Sequence, residues 1–155
     1  MAAAVLAAAL VAGPTPPPLL AQGHDTGAQP SAYTGHYYRS VDEGFRLCVG
    51  QREGRHQYWV TGSRGRYVGT YQMTRALARG AVWMMAREWA HLYGKAQARH
   101  MRVTLHHTDP TKWSREVWDQ AFWTVLNYKG PRSGARHWAG GRYSCTPGMA
   151  WAGGK

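Results

Sequence analysis

Cys48-Val-Gly-Gln-Arg-Glu-Gly54, followed after three residues by Tyr58-Trp-Val-Thr-Gly-Ser-Arg-Gly-Arg-Tyr-Val-Gly-Thr-Tyr-Gln-Met73, is the stretch whose reading decides the fold. Phe45, Cys48, Val49 and Arg52 recur at three and four, and Phe45, Val49 and Glu53 step by four. A helix with that spacing carries Glu53 along the edge of its apolar stripe. Ser40-Val41-Asp42-Glu43 has the form of a capping box, in which hydroxyl and carboxylate satisfy free N–H groups of a first turn. The helix is therefore predicted from Val41, with Gly54 as its stop. Gln57 to Thr61 is rich in β-formers and Gly62-Ser63-Arg64-Gly65 precedes Arg66-Tyr67-Val68, which predicts a hairpin closing on Gly69-x-x-Gln72.

Helices dominate the chain beyond. Thr74 is a candidate N-cap for a helix running to Tyr93, with Leu77, Ala81, Met84, Met85 and Leu92 on one face, Gly80 as a possible break and Gly94 as its end. A shorter helix over Ala96 to Leu105 rests on Ala98, Met101 and Leu105 and stops at Thr108-Asp109-Pro110. Ser114 caps the clearest helix, whose Val117, Trp118, Ala121, Phe122, Val125 and Leu126 give the broad apolar face of a core element. The pattern is mainly α with a minor β lobe. Trp118, Phe122 and Trp89, at helical spacing, read as core.

A chain of 155 residues, 44% apolar with eight Trp and nine Tyr, is one globular domain's worth. Four segments are expected: a leader over 1–21, a small polar linker over 22–36, the folded domain over 37–146, and a tail over 147–155. Met1 to Gly13 has the softness of a signal-peptide apolar region, is too short to span a bilayer, and is followed by a Pro-rich break. It lacks the basic residue of an ordinary leader, so the alternative is an Ala-rich arm. Cys48 and Cys145 bracket nearly the whole domain. An exported chain pairs two such cysteines, and the loop closed is worth about 4–5 kcal/mol in the chain-entropy picture; the alternative is two buried thiols. A formal charge of +11 draws the chain to polyanions without choosing among nucleic acid, lipid and cell wall.

Glu53 is one of only eight acids. A carboxyl at a helix C-terminus faces the negative end of the macrodipole and, beside apolar residues, is pushed toward the protonated form that protonates a glycosidic oxygen; lysozyme is the worked case of that rule. The plainer reading is an ion pair with a neighbouring Arg. Cys48-x-x-Gln51-Arg52-Glu53 with Gly65-x-Tyr67-x-Gly69-x-Tyr71-Gln72-Met73 resembles the lysozyme-like domains of actinobacterial resuscitation-promoting factors and related lytic transglycosylases. The resemblance covers roughly Tyr37 to Cys145 and is carried by Cys48 to Met73.

It implies a lysozyme-like, mainly α (α+β) domain in which Glu53 is the catalytic acid, a Gly-Tyr hairpin walls the cleft with Gln72 toward substrate, and Cys48 is bridged to Cys145. Tyr71, Thr70, Tyr67 and Trp59 on that hairpin are candidate sugar contacts, and Asn127 is a further one through a partial likeness of Leu126 to Pro131 to an Asn-Ala-Gly-Pro segment. Gly54 departs from the family's Ser, and the missing hydroxyl puts Glu53's positioning in question. No second carboxylate lies near Glu53, so a retaining pair is disfavoured. A single acid/base that leaves a 1,6-anhydro sugar fits better.

The implied substrate is the MurNAc-β1,4-GlcNAc bond of peptidoglycan, cut by a secreted monomer without cofactor and held on anionic wall polymers by charge. Two rivals stay open: a non-catalytic wall-binding protein that keeps the cleft, and a basic nucleic-acid-binding protein. His91, His106, His107 and His137 show no ligand spacing for zinc. The scattered Arg residues match no specific nucleic-acid module.

Overall fold

The structure is a computed structural model describing residues 13–153; most of the expected leader and the last two residues of the tail lie outside them. Four helices, α1 (Glu43–Gly54), α2 (Arg75–Tyr93), α3 (Lys95–His107) and α4 (Arg115–Asn127), surround a core, and three two-residue strands lie between the first two: β1 (Thr61–Gly62), β2 (Tyr67–Val68) and β3 (Met73–Thr74). The sheet is antiparallel in the order β1-β2-β3, with Thr61 opposite Val68 and Tyr67 opposite Thr74. The chain is thus mainly α with a small antiparallel sheet. The hairpin exists where expected, but its first strand is shorter and later than Gln57 to Thr61, and Met73–Thr74 adds a third.

α4 is buried on every side from Val117 to Asn127, and it forms the centre of the core with Phe45 of α1, Met85 and Trp89 of α2 and Met101 and Leu105 of α3 around it. Its polar members Asp119, Gln120 and Asn127 are hydrogen-bonded to other elements, which lets the whole helix lie inside, and each large apolar side chain so buried contributes about 1.5–3 kcal/mol. Ser114 caps it by accepting from the Val117 N–H at 3.2 Å, and Thr74 caps α2 in the same way from Leu77 at 3.1 Å. Gly80 does not interrupt α2. The buried stripe of α2 is Ala78, Ala81, Val82, Met85 and Trp89, so Leu92, expected inside, lies on the outer side and is 42% exposed.

The capping box does not form. Ser40 opens a single 3-10 turn, α1 begins only at Glu43, and no side chain caps either. Glu43 instead accepts from Arg46 Nη2 at 2.6 Å and from the Ser31 N–H at 2.9 Å, two partners worth more to a carboxylate than one exposed turn N–H.

Residues 22–36 lie along the domain. Thr26 bridges to Gln57, the Ala32 N–H donates to Asp119 Oδ2 at 2.8 Å, and Tyr33 Oη donates to Glu88 Oε2 at 2.7 Å. At the other end, Met149 and Trp151 are half-buried against the core. Cys48 and Cys145 form a disulfide with Cα atoms 5.7 Å apart, which ties α1 to the end of the chain.

Candidate active site

From its middle to its C-terminus α1 is fixed from three sides. The disulfide holds Cys48. Arg52 reaches the segment before Cys145, donating from Nη1 to the Tyr143 carbonyl at 2.9 Å and from Nη2 to the Trp138 carbonyl at 2.7 Å. Gly54 abuts the hairpin so closely that a Cβ there would stand 2.5 Å from Thr70 Cα and 2.6 Å from its carbonyl oxygen. That contact explains Gly54: a Ser at this position would displace the backbone of the sheet lobe, so the glycine is the condition for seating the hairpin against the helix end.

Glu53 stands at this junction with its side chain 28% exposed. Oε1 accepts from Arg52 Nε at 2.8 Å, and among the described residues no hydrogen bond reaches Oε2. The neighbouring Arg is therefore Glu53's partner, as the plainer sequence reading allowed, and one carboxyl oxygen remains open. Most other acids are consumed by the fold. Asp42 pairs with Arg132, Glu43 with Arg46, Asp109 with Arg75, and Asp119 and Glu88 are saturated by donors from other parts of the chain.

The chain leaves α1 through Arg55 and His56, both at positive φ (51° and 55°). His56 is 3% exposed and its Nε2 has no partner among the described residues. Burial first, and the Arg46 cation second, push its imidazole down to about 4. An unfolded chain takes up that proton near 6.5 while the folded one refuses it until about 4, so the unfolded state binds more protons in this window and stability falls as pH falls through it, by up to about 1.4 kcal/mol per unit. His56→Asn should show a markedly smaller drop in urea midpoint between pH 7 and pH 5. An unchanged drop would assign the acid sensitivity to another group.

The candidate sugar contacts divide. Trp59, Tyr67 and Gln72 keep some exposed surface. Trp59 lines a groove of about 330 Å³ with Tyr58, Lys112, Trp113, His24 and Asp25, and His24 stacks on its ring at 4.3 Å and 28°, so one face is taken. Gln72, at φ 46°, donates from Nε2 to the Gly69 carbonyl at 2.9 Å and is folded onto its own turn.

Tyr71 and Thr70 have no exposed surface, which corrects their assignment as sugar contacts. The Tyr71 hydroxyl donates to Asp119 Oδ1 at 2.5 Å and accepts from Arg46 Nη1 at 2.7 Å, and burial above all raises the phenol well beyond its ordinary value. Tyr58, the other buried ring of the hairpin, donates to the same Asp119 oxygen at 2.9 Å. Thr70 donates to the Gly50 carbonyl of α1.

Asn127 is corrected as well. Its Nδ2 donates to the Tyr37 carbonyl and its Oδ1 accepts from the Arg132 N–H, both at 2.8 Å, while Arg132 reaches Asp42 at the start of α1. Glu53 is at the other end of this 12-residue helix, about 18 Å along its axis, so the fold does not bring the two together.

The sequence reading missed Arg52 as the clamp of the helix end and Thr70 as the wall behind Gly54. The Arg52-Glu53-Gly54 run carried a signal for the first, two opposite charges adjacent at a helix terminus. Among the described residues no cluster of His, Cys, Asp or Glu could hold a metal, and no helix is long and apolar enough to cross a membrane. No family model, curated protein or solved structure matches the chain.

Proposed function

We propose that this chain is a lysozyme-like, secreted peptidoglycan-cleaving protein of the lytic transglycosylase or glycoside hydrolase type, acting on the MurNAc-β1,4-GlcNAc bond. The observation that carries the reading is Glu53 itself: a part-exposed carboxyl, one oxygen open, at a helix end locked by a disulfide, by Arg52 and by the hairpin. In this mechanism Oε2 protonates the leaving glycosidic oxygen. The carboxylate then accepts the proton of the muramic 6-hydroxyl as that oxygen attacks C1, giving a 1,6-anhydro end; water in place of the hydroxyl gives a reducing end. Gln72, Tyr67 and Trp59 are the residues with surface left to meet the glycan. The bridge supports an oxidising compartment.

The Arg52 pair and the inward turn of Gln72 favour one alternative, a wall-binding protein of the same scaffold without turnover. Incubating the protein with purified walls and weighing the released fragments by mass spectrometry separates the two. Anhydro or reducing muropeptides support cleavage, and retention on the wall without release supports the alternative.

Attachment by charge makes a further prediction. With a formal +11 on the chain, wall binding should fall steeply between low and physiological ionic strength, where screening shortens to about 8 Å. Binding that persists in high salt, measured by pull-down, would instead place recognition in the cleft.

A further inference from the structure

At the opposite end of α1 from Glu53 a second feature has no part in this chemistry. Three depressions of about 350, 480 and 340 Å³ adjoin one another: the first two share His36 and Tyr37, the second and third share Gly35, Glu88 and Leu92. Together they make an open groove beside α2. Its floor where the first depression meets the second is aromatic, with Tyr37 and Tyr128 at 6.0 Å and the Arg87 guanidinium over the Tyr128 ring at 5.6 Å. Leu92, 42% exposed, adds an apolar wall.

The planar polar side chains along the groove are spent on the fold. Asn127 uses both ends of its amide, Gln120 accepts from Trp89 and donates to Glu88, and Glu88 also takes the Tyr33 hydroxyl and the His36 N–H. A glycan, which needs many directional partners for its hydroxyls, would find few.

Two charges are left over. Arg87 in the middle depression and Glu116 in the end one have no ion-pair partner among the described residues. A strand of nucleic acid carries one negative charge per nucleotide and would be repelled at Glu116, whereas a free-ended peptide carries one charge of each sign.

We infer that this groove binds a short zwitterionic peptide, its terminal carboxylate on Arg87 and its amine at Glu116, with small apolar side chains against Leu92 and the Tyr37–Tyr128 pair. A guanidinium presents two parallel donors to a carboxylate, and the Tyr128 ring beneath helps to hold Arg87 in place. Burial raises the Glu116 carboxyl against the opposing Arg115 guanidinium, with Asp119 and Asp25 adding to the rise, so an ammonium there relieves a carboxyl that Arg115 leaves without an ion pair. The inference does not depend on the reading of Glu53.

Tetra-alanine with free ends, its C-terminal amide and its N-acetyl form are the probes, titrated into the whole protein with amide chemical shifts as the readout. The free-ended peptide should move the signals of Tyr37, Leu92 and Tyr128. The amide and the acetyl form should each bind about tenfold more weakly, the loss of one charge-assisted contact. Arg87→Gln should erase the preference for a free carboxylate and Glu116→Gln that for a free amine, with melting temperatures unchanged, since Arg87 is exposed and Glu116 part-exposed on their helices. Equal binding of the three peptides, preferences that survive both substitutions, or shifts confined to other surfaces would overturn the proposal. So would an oligothymidylate or a chitin trisaccharide that fills this groove when the peptide does not.

Discussion

Arg46→Met is expected to lower the stability of the protein by about 3–5 kcal/mol, the cost of leaving a buried charge without its partner. Arg46 is 1% exposed and Asp119 fully buried, and the two are 3.3 Å apart. The guanidinium also donates to the Tyr71 hydroxyl, to Glu43 and to the Gln29 carbonyl, so a single side chain joins α1, the hairpin, α4 and the segment before α1. Methionine matches the stem and restores none of these bonds. Asp119 keeps the donors from Tyr58, Tyr71 and the Ala32 N–H and the Arg115 guanidinium 3.7 Å from Oδ2, but among the described residues it loses the only cation within direct reach of Oδ1.

Domains have total stabilities of about 5–15 kcal/mol, so the variant should unfold at a much lower urea concentration. The double variant Arg46→Met, Asp119→Leu should recover a large part of the loss, because replacing both charges removes the penalty that replacing one creates. A loss below about 1 kcal/mol for Arg46→Met would mean that solvent reaches Asp119.

Why this network could not be read in advance follows from where its members lie. Arg46 and Asp119 are 73 positions apart, and Ala32 and Asp119 are 87 apart. No local spacing relates them. Elements whose signals are local were legible: Ser114 and Thr74 as caps, the apolar period of α4, and Ala98, Met101 and Leu105 on α3. Ser40 failed as a cap although its motif is local, because Glu43 found stronger partners in Arg46 and Ser31.

The polar run before Tyr33 reads as a linker by composition, yet its backbone is captured by side chains from α1 and α4, a kind of binding that leaves no apolar trace. The site shows the same division. Glu53 and the hairpin lie in one stretch of chain, and the bridge, 97 positions across, was legible because the chain has only two cysteines. Tyr71 and Thr70 were not separable from Tyr67 and Trp59, because which ring of a short Gly-rich hairpin turns inward depends on Asp119, a residue on another element.

Glu53→Gln is expected to leave the fold and wall binding intact and to cut release of muropeptides by about 10²–10⁴-fold, the range of a lost general acid. The amide is nearly isosteric and keeps an oxygen to accept from Arg52, so the clamp from Arg52 to the Trp138 and Tyr143 carbonyls has no reason to move. What it lacks is a proton to give and a carboxylate to take one back, and both halves of the proposed reaction use that group. Gln72→Ala is the contrasting change. Gln72 is held to its own turn through the Gly69 carbonyl, so its removal frees no buried charge and should weaken productive binding with little effect on the chemical step.

Muropeptides counted by mass spectrometry over time distinguish the two, since one variant lowers the rate at every wall concentration and the other only at low ones. Full release by the Glu53→Gln protein would remove Glu53 from the mechanism. Glu116 and Asp25 would then be the acids left to test, because the fold has already spent the other five.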